Sequence, residues 1–554
     1  MNKRDCDKKG LILAATLGDC VHVAGTLNFL RLAEAQGYET HFMGTQRTAS
    51  EVVEAALETD PEIIAVSFRL SPEVAADLFE ELDEALRAAG LGDKRVIFGG
   101  TPPVCCLAES SGLFEAVFDG TMDEALEFLS EDYSQGDEVM PPQSLVERIQ
   151  WRRPYPILRH HFGLPSLSAT REGITAIADA KVVDVISIGP DQNAQVAFFR
   201  PEEQNPRQDG AGGVPVRSED DFSALYEASR SGNYPLLRCY SGTRDVLKMA
   251  PLLADSIHNA WCAVPLFWYN ILDGRGPRSL KTSIEEAKLL MAWHAEQNIP
   301  VEVNEAHHWS LRDAPDVIAV VAAYLAARAA KASGVTDYVA QYMFNTPPGI
   351  TYAMDLAKML AKKTLIHELE DSAFRIWTQV RTGLLSFPSD LSMAKGQLAA
   401  SSVLQMALNP DIVHVVSYSE ADHAATADDV ISSVKIVRQV IKETRFGLPD
   451  MGLDTNVQRR TEELLGEARI LIDAIEALDP EAEDPLSDTD VLVQAVRLGY
   501  LDAPHLAGNP EARGAIQTQI IDGACQAVDP ATGHQLSEKD RLAMIEDDAL
   551  GPSR

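Results

Sequence analysis

The chain has no Cys-x-x-Cys pair and no tight cysteine cluster: its 7 cysteines are scattered over 554 residues. That spacing argues against structural zinc, a dithiol redox motif and a cysteine-ligated iron–sulfur centre. Basic residues are also scarce. Lysine and arginine number 48 against 83 aspartates and glutamates, a formal net charge of −35. Neither bare nucleic acid nor an anionic membrane is expected as a partner, since both need a basic face. No uninterrupted apolar run reaches bilayer length, and residues 1–10 are polar with no long apolar segment behind them. The chain therefore reads as cytoplasmic. Internal repeats and low-complexity runs are absent, and no glycine-rich phosphate fingerprint follows the first apolar run.

What is present is ordinary globular composition, 45% hydrophobic and 24% charged, in a length that predicts two or three domains. Residues 1–130 alternate short apolar runs (11–16, 38–43, 62–67, 95–98, 115–118) with helical patterns (24–36, 48–58, 72–89, 103–111, 121–130). Short connections between such units predict a flavodoxin-like, doubly wound parallel sheet. Residues 131–156 are polar and proline-rich and read as a linker. From 157 to 445 strand-length runs recur near 183–188, 236–240, 262–269, 299–303, 337–344, 374–380 and 412–418, with helices between them. Seven or eight such units in one domain predict a (β/α)8 barrel of TIM type, an α/β fold with its active face at the strand ends. Residues 446–554 read as a helical extension, with amphipathic helices at 458–478 and 487–499.

The loop after the first strand, Gly18-Asp19-Cys20-Val21-His22-Val23-Ala24-Gly25, lies where open α/β sheets place ligands. A histidine on such a loop, with an acid close by, suits a metal ligand or a surface histidine. The loop resembles the Asp-x-His-x-x-Gly motif of the cobalamin-binding domains of methionine synthase and the carbon-skeleton mutases. Ser67-Phe-Arg-Leu-Ser71-Pro72 resembles that family's Ser-x-Leu turn, Gly99-Gly100 its Gly-Gly pair, and Phe118-Asp-Gly-Thr121 its final loop. The resemblance implies that His22 is the lower axial ligand of cobalt, supported by Asp19 or a group at Cys20, with Gly25 closing the motif. It further implies that Ser67 or Ser71, Gly99, Gly100 and Thr121 line the path of the nucleotide tail. Two positions depart from the pattern. Cys20 occupies the aspartate's place, with Asp19 one residue earlier, and Arg69 replaces the leucine.

Residues from about 180 to 530 are similar to the catalytic subunit of glutamate mutase. The likeness is carried by Pro235-Leu-Leu-Arg-Cys-Tyr-Ser-Gly-Thr243, Phe267-Trp-Tyr-Asn270, Phe387-Pro-Ser-Asp390, Val413-His-Val-Val-Ser-Tyr-Ser-Glu-Ala421 and Val496–Pro504. It implies a homodimer, to which the apolar face of 458–478 would contribute, and adenosylcobalamin as cofactor. It also implies that Glu420 holds the ribose of the adenosyl group. Of the family's three substrate arginines only Arg238 has a match, and Asp191-Gln192-Asn193 stand where another would be. The residues themselves add Glu305-Ala-His307-His308-Trp309 and Tyr269 at strand ends, as candidates to contact substrate. A packed loop is the alternative reading of the histidine pair, and a core aromatic of Tyr269.

The expected function is that of an adenosylcobalamin-dependent carbon-skeleton mutase, an isomerase. Its small-molecule substrate would be an organic or amino acid other than glutamate, with at most one strongly gripped carboxylate. A methylcobalamin-dependent methyltransferase or corrinoid carrier would place a helical cap before the cobalamin domain, and a cobalamin sensor would add a basic DNA-binding unit. Neither pattern is visible.

Overall fold

The structure is a computed structural model. It describes residues 9–120, 122–129, 140–240, 242, 244–303, 306–445 and 447–550. The chain divides into two compact units, Met1–Val139 and Met140–Arg554.

The first unit is a five-stranded parallel sheet of β1 (Leu11–Thr16), β2 (Glu39–Phe42), β3 (Ile63–Phe68), β4 (Arg95–Gly100) and β5 (Ala116–Phe118). The strand order is β2-β1-β3-β4-β5. β1 and β3 are buried almost throughout, because helices cover both faces of the sheet. One face packs Leu13, Val66 and Phe98 under helices Ala49–Thr59 and Pro72–Ala88. The other packs Ile12, Ala65 and Ile97 under helices Ala24–Ala35 and Met122–Leu129. The chain reverses its winding between β1 and β3, so the loops after these strands diverge and leave a crevice at the carboxyl edge.

The second unit is an eight-stranded parallel sheet: β6 (Ile157–Phe162), β7 (Val185–Ile188), β8 (Leu236–Arg238), β9 (Cys262–Val264), β10 (Val301–Val303), β11 (Asp337–Phe344), β12 (Arg375–Thr382) and β13 (Ile412–Val415). Each strand pairs with its chain neighbour except β8 with β9, and β13 pairs with β6. The Ala260 amide donates to the Leu237 carbonyl at 3.0 Å across the remaining seam. The result is a nearly closed (β/α)8 barrel, as the sequence pattern predicts. β6 is absent from the strands read in the sequence, because its centre is Arg159-His160-His161, polar side chains that belong to the barrel's interior and mouth.

Two boundaries differ from expectation. Of the stretch read as a linker, 131–139 lie outside the described residues, and 140–156 belong to the second unit. Helix Leu145–Arg152 packs Leu145 and Ile149 with Ile157, Val185, Leu236, Val339 and Trp377 at the amino ends of the barrel strands. It closes the barrel floor. The carboxyl-terminal region is not wholly helical either. Beside helices Thr455–Glu476, Thr489–Leu498 and Glu538–Leu550 it holds an antiparallel hairpin, β14 (Gln517–Ile521) and β15 (Ala524–Val528). Asp522 and Gly523 both take positive φ, the two-residue turn that such hairpins favour. Helix Thr455–Glu476 buries Leu464, Ala468, Leu471 and Ile475 against helices Asp316–Ala332 and Tyr352–His367. The apolar face invoked for a dimer is thus used inside the unit.

Candidate functional sites

The first unit carries a groove of about 930 Å³ between its sheet and helix Ala24–Ala35. Strand periodicity makes it. Ala65 and Ser67 on β3, with Ile97 and Gly99 on β4, point to one face, and three of the four are too small to fill the space under Gly25, Thr26 and Phe29. A Cβ built on Gly99 meets nothing nearer than the Phe118 carbonyl at 3.9 Å, so the missing side chain is open groove. Gly100 differs, since a Cβ there would lie 2.6 Å from the Phe98 ring and 2.9 Å from the Phe68 carbonyl. Inside the groove the Thr26 and Ser67 hydroxyls pair at 2.8 Å.

His22 lines the groove from an exposed position on the loop after β1. The loop is pinned. The Gly18 amide donates to the Arg47 carbonyl at 2.9 Å, the Cys20 amide to the Leu17 carbonyl at 3.1 Å, and the Thr16 hydroxyl to the Cys20 carbonyl. His22 Nδ1 lies 3.7 Å from the Cys20 thiol, which is fully buried, while Asp19 is exposed. The side chain that steadies the ring is therefore Cys20 rather than Asp19. Ser71 caps helix Pro72–Ala88 by accepting the Val74 amide at 3.4 Å and does not line the groove. Thr121 lies outside the described residues. Arg69 does line the groove.

In the barrel a dry polar layer crosses the interior. The Gln341 amide donates to His307 Nδ1 at 3.0 Å, and the Gln379 amide to Gln341 Oε1 at 3.1 Å. Arg159 Nη1 donates to Gln379 Oε1 at 2.7 Å and to Glu302 Oε2 at 3.2 Å. Arg159 Nε donates to Ser187 at 2.8 Å, and Trp261 Nε1 to Glu302 at 2.6 Å. Arg238 stacks on Trp261 at 4.8 Å, with Nη2 3.7 Å from Glu302. Only 2% of Arg238 is exposed, so it is a member of this layer and not a clamp at the mouth.

Burial sets the charge states here. Burial alone would raise Glu302, but Arg238 and Arg159 hold it below the usual carboxylate range. Burial, with Arg238 after it, pushes the Arg159 guanidinium well down. His160 falls to about 4 through burial. Burial also pushes His307, His308 and His414 well below the ordinary imidazole value, with nearby positive groups adding to each; His161, enclosed by the barrel walls but exposed toward the mouth, shifts in the same direction.

His307 and His308 sit on the short helix Ala306–Ser310, with rings 4.4 Å apart, and both are buried. His308 packs against Trp268 and Tyr269, and Tyr269 stands 6.0 Å from Tyr240. Tyr269, expected at a strand end, lies in the loop after β9, which ends at Val264, and takes a positive φ of 64°. Glu305 lies outside the described residues. Asp191, which stands where a family arginine would be, is buried and held by a bidentate Arg217 at 2.9 and 2.6 Å.

At the carboxyl ends of β6, β7, β12 and β13 a pocket of about 1060 Å³ opens, lined by His161, Tyr240, Arg381, His414, Ser417 and Glu420. Glu420 is thus at the mouth. Arg381, His161 and His414 are absent from the sequence-based candidates. The signal for them is alternation: Gln379 and Arg381 on β12, like Arg159 and His161 on β6, are polar at every second position of a buried strand.

Residues 10–129 match the B12 binding domain family. Three solved structures are similar in part. A novel cobalamin-binding protein from Desulfitobacterium hafniense DCB-2 is 28% identical over 22% of this chain and 60% of its own, with a TM-score of 0.19. The methanol:cobalamin methyltransferase complex of Methanosarcina barkeri is 18% identical over 23% of this chain and 46% of its own, TM-score 0.20. For 2,3-dimethylmalate lyase, a PEP mutase/isocitrate lyase superfamily member, the identity is 12% over 58% of this chain and 93% of its own, TM-score 0.24. The chain spans less than two thirds of the first two structures' length. The groove and the histidine on its rim lie within residues 10–129, the stretch that matches the B12 binding domain family, and a (β/α)8 barrel follows it in the chain.

Proposed function

We propose that the protein is a cobalamin-dependent isomerase of radical type, using adenosylcobalamin to rearrange a small organic or amino acid other than glutamate. The observation that carries this reading is the character of the barrel interior. His160, His161, His307, His308 and His414 are all driven toward the neutral form, and Glu302 toward the ionised form. None of these groups is poised near neutrality to take up and return a proton. A chamber so built orients a substrate and keeps water away, which is what hydrogen abstraction by an organic radical asks of a protein.

The residues present fit a corrinoid. The cradle at Gly99 is one that a Cβ would fill, and His22 stands exposed at its edge with only its Nδ1 side engaged by Cys20. Adenosylcobalamin, when bound, supplies the organic radical. His22 would hold the cobalt, Thr26, Ser67 and Gly99 would wall the nucleotide tail, and Glu420 would take the ribose hydroxyls. The layer from His307 to Arg159 would fix the chamber walls during turnover.

The test is to load the purified protein separately with adenosylcobalamin and methylcobalamin and to present a panel of small carboxylic and amino acids. The expected result is an isomerised acid and a paramagnetic signal with adenosylcobalamin only. Methyl transfer from methylcobalamin to any acceptor, without isomerisation in the other arm, would overturn the proposal.

A further inference from the structure

The pocket at the barrel mouth has a charge with no ion-pair partner among the described residues. Arg381 ends β12 with its guanidinium facing that space, and its hydrogen bond is a long one, Nε to the Thr382 carbonyl at 3.4 Å. Among the described residues it forms no ion pair. Glu420 lines the same pocket but does not reach it. Burial brings the Arg381 guanidinium down to about 10, with Glu420 and Glu302 opposing the shift. Arg381 is half-buried, and a partly desolvated cation without an ion-pair partner marks a place where an anion is favoured.

The two histidines of the pocket favour the same occupant. A guanidinium can only donate, so the 3.0 Å contact from Arg159 Nη2 makes His161 Nε2 an acceptor. The neutral ring must then carry its proton on Nδ1. Arg159 thereby fixes His161 as a hydrogen-bond donor. His414, its ring 4.8 Å from His161 and 2% exposed, has an Nδ1 with no partner. Arg381, His414 and Arg159 are aligned in register across β12, β13 and β6, so the three groups share one level of the barrel.

We infer that this pocket binds the carboxylate of a small monocarboxylic acid on Arg381, with His161 Nδ1–H as the neighbouring donor. Among the described residues that line the pocket, a second carboxylate has no further cation to meet. Arg159 and Arg238 are dry and share Glu302, and Glu420 repels a further anion. The ligand's identification as the substrate rests on the isomerase reading, but its binding does not.

The experiment is isothermal titration of the full chain without corrinoid, using butanoate, butanamide and succinate. Butanoate should bind, butanamide should bind roughly tenfold or more weakly, and succinate no more tightly than butanoate, because a charge-assisted pair is stronger than a neutral one and only one cation lines the pocket among the described residues. Arg381→Gln should weaken butanoate by a similar factor while tryptophan fluorescence and cobalamin titration stay as in the parent. Should that variant fail to fold, Arg381→Lys serves: it keeps the charge, loses the bidentate fork, and should bind butanoate with intermediate strength. Equal binding of acid and amide, tighter binding of succinate, indifference to both substitutions, or no binding of any probe would each overturn the inference. A parent that binds butanoate yet takes up no cobalamin would instead sink the isomerase reading and leave this one standing.

Discussion

Gly99 and Gly100 are adjacent, yet adding one methyl to each should have opposite consequences. At Gly100 the new Cβ would press to 2.6 Å of the Phe98 ring and 2.9 Å of the Phe68 carbonyl. Neither can yield. Phe98 is fully buried between Phe79 and Phe114, at 4.9 and 5.2 Å, and Phe68 is registered with Gly100 in the β3–β4 ladder. Overpacking of this kind costs about 1–3 kcal/mol. At Gly99 the nearest atom is 3.9 Å away, and an extended alanine narrows the unfolded ensemble, stabilising by about 0.4–1 kcal/mol. That methyl would project into the groove. A tenfold loss of cobalamin affinity, about 1.4 kcal/mol, is expected for Gly99→Ala and more for Gly99→Val. All 6 tryptophans lie beyond residue 140, so their fluorescence follows the barrel alone. Urea unfolding of the first unit is then the part of the far-ultraviolet dichroism change that fluorescence does not share. Gly100→Ala should shift that part to lower urea, and Gly99→Ala should not. A well-folded Gly99→Ala protein that titrates cobalamin like the parent would refute the placement of the nucleotide tail over this residue.

His22→Ala should weaken corrinoid binding and change its visible spectrum, and Cys20→Ala should do so to a smaller degree; unaltered spectra would remove His22 as the ligand. Glu302→Gln leaves Arg159 and Arg238 without their counter-charge and should destabilise the barrel by about 3–5 kcal/mol, read from tryptophan fluorescence in urea; a midpoint equal to the parent's would show that the layer tolerates two bare guanidiniums. His160 and His294, both brought to about 4 by burial, bind protons more weakly folded than unfolded, so stability is complete above pH 6.5 and is lost as pH falls from there toward 4. Each should remove about 2 kcal/mol by pH 5, and a flat urea midpoint between pH 7 and 5 would contradict the burial of these rings. A homodimer is expected in sedimentation at micromolar concentration, through a surface other than the inward face of helix Thr455–Glu476, and a monomer would count against it.

The sequence made the first unit legible nearly to the residue, because each short apolar run there is a strand buried on both faces and each helix is amphipathic over a short connection. The barrel was legible as a fold and only partly as a site. A strand lining a barrel alternates between a helix-facing and a lumen-facing side, so polar side chains of the lumen interrupt the apolar run that marks a strand. That interruption hid Ile157–Phe162, and with it Arg159, His161 and Arg381 as partners in one chamber. Helix Leu145–Arg152 was hidden for another reason. Its apolar residues, Leu145 and Ile149, are one turn apart between prolines, a pattern too brief to stand out from a linker. Asp522-Gly523 was a usable hairpin signal within a stretch whose helices dominated it.

The search for substrate arginines by alignment with a family and the search by charge lead to different residues, and the structure explains the difference. Arg238 matched by position, yet a guanidinium 2% exposed and shared with Glu302 serves the barrel's own cohesion. Arg159 and Arg238 share Glu302 within the layer, whereas Arg381 at the mouth forms no ion pair among the described residues, with Glu420 lining the same pocket but not reaching it. The expectation of a single gripped carboxylate was drawn from the lack of matching arginines; the proposal made here rests instead on Arg381. In a chain whose formal net charge is −35, an anion approaches against the general field and gains only on entering the chamber, where the dielectric is low and the unmatched cation is close. On the proposal made above, selection for an acid lies inside the barrel, at Arg381, and not on the protein's surface.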